Sequence, residues 1–302
     1  MKFSKKKMKK IGMKVMKITN DMIENYSQGL NNVNTTKTYK SSLKKFHTFL
    51  EESYIEEVTN DNINMIIHDY KAYLNQEGHK AVTINHHLIV LKTFLNDYTP
   101  IEYDRKLKLL KTVKHQPHYL TKSQIHTALQ YATNPLDEIM IKLLSNTGLR
   151  IHEALNITIK QIKKTDHDGN AVIRIIGKNT KQRTIFIPSS LVNQMQEYSK
   201  DNLRFVFESR RKKAKPLTTR TIEHRFNKLA RIIDEEEMTN IYSENLKPHN
   251  LRHSFAIHAL ENNEINYVKE FLGHENITTT QIYTNLKEQE IIERFRQIET
   301  IE

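Results

Sequence analysis

The stretch KPHNLRHSFAIHAL, residues 247–260, decides how the second half of this chain is read. Pro248 suits the first turn of a helix, where its missing N–H leaves no hydrogen bond unmade. In a helix that starts there, His249 and Arg252 lie three residues apart and share one face. A proton carrier and a permanently charged guanidinium are then held side by side. Alone, such a pair fits any basic surface, so its meaning depends on what the rest of the chain supplies.

Three further stretches are of the same kind. NTGLRIHEAL, residues 146–155, sets Arg150 at a helix start just after Gly148, from where it can project into a cleft. IIGKNTKQRTIFIP, residues 175–188, predicts a hairpin with Lys178, Lys181 and Arg183 around a turn where Asn179 tolerates positive φ. LGHENITTTQIYTN, residues 272–285, ends the helical run INYVKEFL at Gly273 and delivers His274. Thr278 and Gln281 then form a capping box for a helix carrying Tyr283. Carboxylates are nearly absent from the four stretches, apart from Glu153 and Glu275. There is no Ser-His-acid set, no metal-ligand spacing and no Gly-rich phosphate loop, so neither a metal nor a cofactor is expected. Two arginines, two histidines, a lysine and a tyrosine instead supply what metal-free phosphoryl transfer requires: fixed cations, a nucleophile and proton donors. Each preorganised donor stabilises a developing phosphorane by on the order of 3 kcal/mol.

Composition narrows the substrate. With 47 Lys+Arg against 35 Asp+Glu, a net charge of +12 and a pI near 9.5, the chain favours a polyanion, and nucleic acid is the commonest one. The absence of cysteine excludes a disulfide framework, a thiolate metal site and a cysteine nucleophile, and it suits a reducing cytoplasm. MKFSKKKMKKIGMKVMK, residues 1–17, lacks the apolar core of a signal peptide and reads as a disordered basic tail. No later segment approaches the ~20 apolar residues of a membrane span, so a soluble, cytoplasmic protein is expected.

A length of 302 residues suits two domains, and only 7 Gly and 6 Pro predict long helices. From Thr35, Tyr39, Leu43, Phe46 and Leu50 recur at helical spacing. So do Ile63, Ile66, Ile67, Tyr70 and Leu74, then Ile84, Leu88, Leu91 and Leu95. These predict a helical bundle over 18–100. The charged segment 101–119, with Pro117 and no apolar stripe, reads as a linker. A second domain, 120–302, opens on a helix capped by Thr121. Its short β-branched runs ITIKQI, AVIRIIG and RTIFIP predict a small antiparallel sheet among helices. The fold class is therefore mainly α: an N-terminal helical bundle and a C-terminal mixed α+β domain.

TGLRIHEAL, IIGKNTKQR, HNLRHSFAIH and LGHENITTTQIYT, in that order and spacing, resemble the signature of the tyrosine recombinases, the phage-integrase and Xer-like family. The resemblance is strong over the second domain; the bundle before it resembles more loosely the family's SAM-like core-binding domain. It implies that Tyr283 attacks a DNA phosphate to give a 3′-phosphotyrosyl link and a free 5′-hydroxyl. Arg150 and Arg252 would clamp the phosphate, Lys178 would protonate the leaving oxygen, His249 would assist proton transfer and His274 would hydrogen-bond the phosphate. Glu153 would support Arg150. Asn179 stands where the family often has Gly, so Lys181 is an alternative to Lys178. The family further implies strand exchange through a Holliday junction by four protomers on two specific duplex sites, serving integration, excision or resolution, with or without an accessory protein or second recombinase. The tail after Tyr283 carries Ile291, Phe295 and Ile298 on one face, to dock on a neighbouring protomer or on its own domain. A type IB topoisomerase and a non-catalytic DNA-binding accessory factor are the rival readings. The expected DNA contacts are Lys40, Lys44 and Lys45 on one helix, Thr83, His86 and His87 on another, Lys181 and Arg183 in the hairpin, and Arg220 in TTRTIEHRFNKLARII, residues 218–233.

Overall fold

The computed structural model describes residues 15–104, 108–112, 117–176, 182–261 and 265–272. The chain divides into two compact units, residues 1–114 and 115–302.

Unit 1 is a helical bundle. Strand β1 (Val15–Met16) leads into α1 (Asn20–Gln28), capped by the Thr19 hydroxyl, which accepts the Met22 amide at 3.3 Å. Helix α2 (Val33–Glu52) starts at Asn32, whose side-chain oxygen accepts the amides of Asn34 and Thr35. Strand β2 (Val58–Thr59) pairs antiparallel with β1, and α3 (Ile63–Gln76) and α4 (Ala81–Tyr98) complete the unit. Residues 15–16 of the expected basic tail are thus part of a strand pair, a role that two residues among lysines do not advertise. The apolar stripes read from the sequence form the core: Leu43, Phe46, Leu50, Ile66, Tyr70, Leu74, Leu88 and Leu91 are all buried, with Ile23 of α1 added. Much of the stretch expected as a linker lies on this unit. Ile101 is in its core, Leu110 packs against it, and the Asn85 side chain both accepts the Leu110 amide at 2.8 Å and donates to its carbonyl at 2.9 Å.

Unit 2 begins with α5 (Lys122–Tyr131), where Thr121 and Gln124 form a capping box. Helix α6 (Pro135–Thr147) has Pro at its first turn and ends on Gly148, at φ 61° in the left-handed region. Two short helices follow, α7 (Ile151–Leu155) and α8 (Ile159–Lys163). The run ITIKQI, expected as a strand, is thus mostly helix: the Gln161 side chain accepts the Thr158 amide at 2.9 Å, so a Thr-x-x-Gln helix start overrides β-branched composition. Strands β3 (Ala171–Ile176) and β4 (Gln182–Ile187) pair antiparallel, with Ala171 opposite Ile187 and Ile176 opposite Gln182. Their alternation buries Ala171, Ile173, Ile175, Ile185 and Ile187 on one face. After α9 (Ser189–Tyr198) comes a second hairpin, β5 (Glu208–Ser209) and β6 (Lys212–Pro216), which the composition did not suggest. The chain then runs through α10 (Thr219–Glu236), α11 (Ile241–Asn245), α12 (Pro248–Leu260) and α13 (Ile265–Leu272).

One packing point fixes α6, α12 and α13 together. A Cβ on Gly148 would lie 2.3 Å from Cδ1 of Phe255 and 2.9 Å from Cδ2 of Leu272. Gly148→Ala combines a left-handed backbone penalty with overpacking, together roughly 2–5 kcal/mol. Its urea midpoint should fall accordingly with an unchanged m-value; a variant as stable as wild type would show that this approach is not tight.

Candidate active site

The geometry of unit 2 gathers three arginines and a histidine where α6, α7, β4, α12 and the end of α13 meet. Arg150 is the N-cap residue of α7, and its amide donates to Glu153 Oε2 at 2.8 Å while its Nη1 reaches Glu153 Oε1 at 3.3 Å. Arg183, arriving from β4, donates Nη1 to Glu153 Oε1 at 3.0 Å and Nη2 to Oε2 at 2.6 Å. Its Nε donates to the Phe271 carbonyl at 3.1 Å. The Arg183 and Glu153 side chains are 8% and 4% exposed, whereas Arg150 remains 38% exposed, so Arg150 is the guanidinium of this set that solvent reaches.

Arg252, on α12, is buried and lies between two backbone ends. Its Nη1 donates to the Gly148 carbonyl and its Nη2 to the Leu272 carbonyl at 2.6 Å. Arg183 and Arg252 therefore hold the last two carbonyls of α13, groups that a helix terminus leaves without intrahelical partners. Two cations at a helix C-terminus also complement its dipole.

His249 sits one turn before Arg252 on α12, its ring 4.2 Å from that of His253 in an edge-on arrangement. Although part of His249 is exposed, desolvation is the largest influence lowering its pKa, and the charges of Arg252 and Arg150 push the same way. The neutral imidazole is favoured, which is the proton-accepting form. Glu153 goes below its ordinary value for opposed reasons. Burial would raise its pKa, but the Arg183 hydrogen bonds, the Arg150 amide and both guanidinium charges outweigh that and bring it to about 2.

Of the six catalytic candidates, Arg150, His249 and Arg252 are thus brought together. Lys178, Lys181, His274 and Tyr283 lie outside the described residues. Arg183, expected to contact DNA, is instead engaged by protein acceptors: both its Nη atoms donate to Glu153 and its Nε to the Phe271 carbonyl, and its side chain is buried. Nothing in the sequence pairs residue 153 with residue 183, because the contact spans a hairpin and a helix end. In unit 1, Lys40 and Lys44 flank Glu24 at 2.7 and 3.4 Å, and Lys45 reaches Glu77 at 2.5 Å. Such exposed pairs add little to stability and exchange easily for phosphate. Thr83 and His86 are exposed, as is Arg220 in the first turn of α10. His87 departs from the expectation: its Nδ1 is 2.8 Å from the Ser42 hydroxyl and 3.3 Å from that of Tyr70, so it ties three helices together. Burial, then His79 and His86, keep His87 neutral. An open cleft of about 360 Å³ between α2 and α4 is lined by Lys37, Thr38, Ser41 and His86 besides Ser42 and His87, which adds polar α2 residues the sequence reading passed over. Among the described residues no cluster of three or more His, Asp or Glu is placed to hold a metal ion. No described helix is long and apolar enough to cross a membrane.

The profile described as the phage integrase family matches residues 118–290. The chain belongs to this family. The profile for the phage integrase N-terminal SAM-like domain matches residues 23–99, within unit 1. Among curated relatives, tyrosine recombinase XerA of Pyrococcus horikoshii is 30% identical over 94% of this chain and 96% of its own length. Tyrosine recombinase XerD of Rickettsia bellii is 27% identical over 84% and 88%. Two solved structures share the fold. XerH site-specific recombinase bound to difH substrate, a pre-cleavage complex, gives a TM-score of 0.69 at 19% identity over 94% of this chain and 85% of that one. The Tn1549 transposon integrase with a circular intermediate DNA gives 0.66 at 18% over 89% and 95%.

The depressed Glu153 pKa sets a pH window. The folded value of about 2 lies below the ordinary 4.5, so the stabilisation is present above about pH 4.5 and is lost as pH falls toward 2. Over that window wild type should lose on the order of 3 kcal/mol through this group. Glu153→Gln should be less stable at neutral pH and should lack that acid slope in a urea-unfolding pH series. Parallel slopes in the two proteins would mean Glu153 is not the responsible carboxylate.

Proposed function

We propose that this chain is a site-specific DNA recombinase that cuts and rejoins duplex DNA through a 3′-phosphotyrosyl intermediate. What carries the reading is the convergence of Arg150, His249 and Arg252 on one corner of an integrase-family domain. Tyr283 Oη attacks a backbone phosphorus, and neutral His249 takes the phenolic proton. Arg150, Arg252 and His274 neutralise the nonbridging oxygens, where charge grows in the transition state. The 5′-oxygen leaves with a proton from Lys178 or, alternatively, Lys181. The phosphotyrosyl ester retains the energy of the broken phosphodiester, so a 5′-hydroxyl from a second duplex reverses the step without ATP or metal. Repeated on the other strands by four protomers on two sites, the exchange passes through a Holliday junction. The relatives named tyrosine recombinase, and the fold shared with a recombinase on its substrate, support this reading.

Tyr283→Phe removes one oxygen from the nucleophile. On a nicked suicide substrate wild type should form an SDS-resistant protein–DNA adduct, in EDTA as well as in buffer, and the variant should bind the site without forming it. An equally abundant adduct with the variant would place the nucleophile elsewhere. Relaxation of plasmids irrespective of sequence would instead mark a type IB topoisomerase activity.

Arg150 is the cleaner test of the phosphate clamp, because Arg252 also holds two backbone carbonyls. Arg150→Ala should bind site DNA within a few-fold of wild type and cleave at least ~100-fold more slowly, since each preorganised donor is worth about 3 kcal/mol in the transition state. Binding lost in the same proportion as cleavage would reduce Arg150 to an anchor.

A further inference from the structure

Unit 2 concentrates positive charge at a second place, the β5–β6 hairpin. From Arg210 to Lys215 the only uncharged residue is Ala214, and Arg210, Arg211, Lys212, Lys213 and Lys215 are all exposed. None of them takes part in an ion pair among the described residues. From Ser209 to Ile222 the sequence contains no Asp or Glu, so nothing on the same stretch offsets the charge.

A run of lysines and arginines is ordinarily a mobile, solvated loop. This one has a built frame. Glu208, the acid at its base, does not face the cations but shapes the backbone: Oε2 accepts the amides of Leu203, Arg204 and Phe205 at 3.2, 2.9 and 3.3 Å, and Oε1 accepts that of Ala214 at 3.0 Å. Ala214 is held at φ 57°, a left-handed conformation that a non-glycine residue rarely adopts without such a hold. The frame is fixed below by buried Val206 and Phe207, by the Leu217 amide donating to the Phe207 carbonyl at 2.8 Å, and by Asn202 donating to the carbonyls of Phe205 and Val206. Pro216 leads straight into the Thr218 cap of α10, whose first turn carries exposed Arg220.

Holding five cations on one short ribbon raises their mutual repulsion, which a polyanion relieves by displacing condensed counterions. The side chains offer donors alone, with neither an aromatic platform for a base nor an acceptor for a base edge. Phosphate oxygens are the matching partner. We propose that the β5–β6 hairpin is a phosphate-binding ribbon that grips the DNA backbone beside α10 without reading sequence. The proposal rests on the recombinase reading above and adds to it a source of affinity that Arg150, Arg252 and the helices of unit 1 do not supply.

The test is a salt titration with the full-length chain carrying Tyr283→Phe, so that binding is read without cleavage. Dissociation constants are measured by fluorescence anisotropy on cognate-site duplex and on random duplex of equal length, with and without the added triple change Arg211→Gln, Lys212→Gln and Lys213→Gln. Each phosphate contact contributes about 0.9 to the slope of log affinity against log salt, so the triple variant should have a slope shallower by up to about 2.7 on both duplexes. Between 50 and 200 mM salt, wild-type binding should then weaken by up to roughly 40-fold more than the variant's. The cognate-to-random ratio should stay the same. Arg210→Lys with Arg211→Lys, which keeps the charge, should retain the wild-type slope, and equal urea midpoints exclude misfolding as the cause. An unchanged slope in a folded triple variant overturns the ribbon, and so does a loss confined to the cognate site, which would make these residues base readers. Failure of the parent chain to bind any duplex or, with Tyr283 intact, to form an adduct, defeats the recombinase reading instead.

Discussion

Glu153 is the carboxylate on which the arginine-rich corner of unit 2 depends. Its two oxygens receive Arg183 bidentately and the Arg150 amide, so one side chain joins α7, β4 and, through the Arg183 Nε, the end of α13. A buried ion pair is weak evidence for stability, since desolvating both charges offsets much of their attraction. Its value here is geometric. Removing one partner leaves the other charge buried without compensation, which costs about 3–5 kcal/mol, so the arrangement tolerates no half-formed state. The corner is thereby fixed before any substrate arrives, which is the condition for a cation to favour a transition state over a ground state.

Arg252 extends the same logic to the backbone. Its donors to Gly148 and Leu272 join the end of α6 to the end of α13, and Gly148 allows this because a side chain there would strike Phe255. Among the described residues the corner holds three guanidinium groups and one carboxylate, with Arg183 and Arg150 on Glu153 and Arg252 on backbone carbonyls, so it keeps an excess of positive charge. Desolvation, and after it the charges of Arg252 and Arg150, lower the pKa of His249 and so favour an uncharged imidazole beside cations. A phosphate site that also needs a proton acceptor faces a conflict, because cations that attract the anion also repel protons from the base. On the recombinase reading the second effect is useful in this corner, since it leaves His249 free to take a proton.

Features that depend on residues close in sequence were legible before the fold. The stripes at 43–50, 63–74 and 84–95 became the core of unit 1; Thr121 and Pro248 began their helices, and strands 171–176 and 182–187 paired as their alternation suggests. Placing Arg150, His249 and Arg252 together required the family resemblance, because their spacing alone fits a basic surface equally well. What escaped depends on distant partners or on competition between local signals. ITIKQI is β-branched, yet the Thr158–Gln161 cap makes it helical. Residues 101–119 are charged and lack a stripe, yet Ile101 lies in the core of unit 1 and Asn85 holds the Leu110 backbone there. Arg183 looks from its neighbours like a hairpin cation for DNA, and only the fold brings Glu153 and the Phe271 carbonyl to it.

The cations of the described residues fall into three classes by what compensates them, and the classes should respond differently to ionic strength. Arg183 and Arg252 are buried on carboxylate and carbonyl oxygens, where screening by salt hardly reaches. Lys40, Lys44 and Lys45 rest on Glu24 and Glu77 in exposed pairs. A phosphate that replaces those carboxylates exchanges one screened contact for another, so the net gain is small. The cations of the β5–β6 hairpin have no carboxylate to give up, and their whole interaction with a polyanion appears as counterion release. Total charge therefore overstates how many cations can contribute to salt-dependent affinity. That affinity concentrates where the fold has left charge uncompensated, while the buried arginines set geometry and the exposed pairs adjust it.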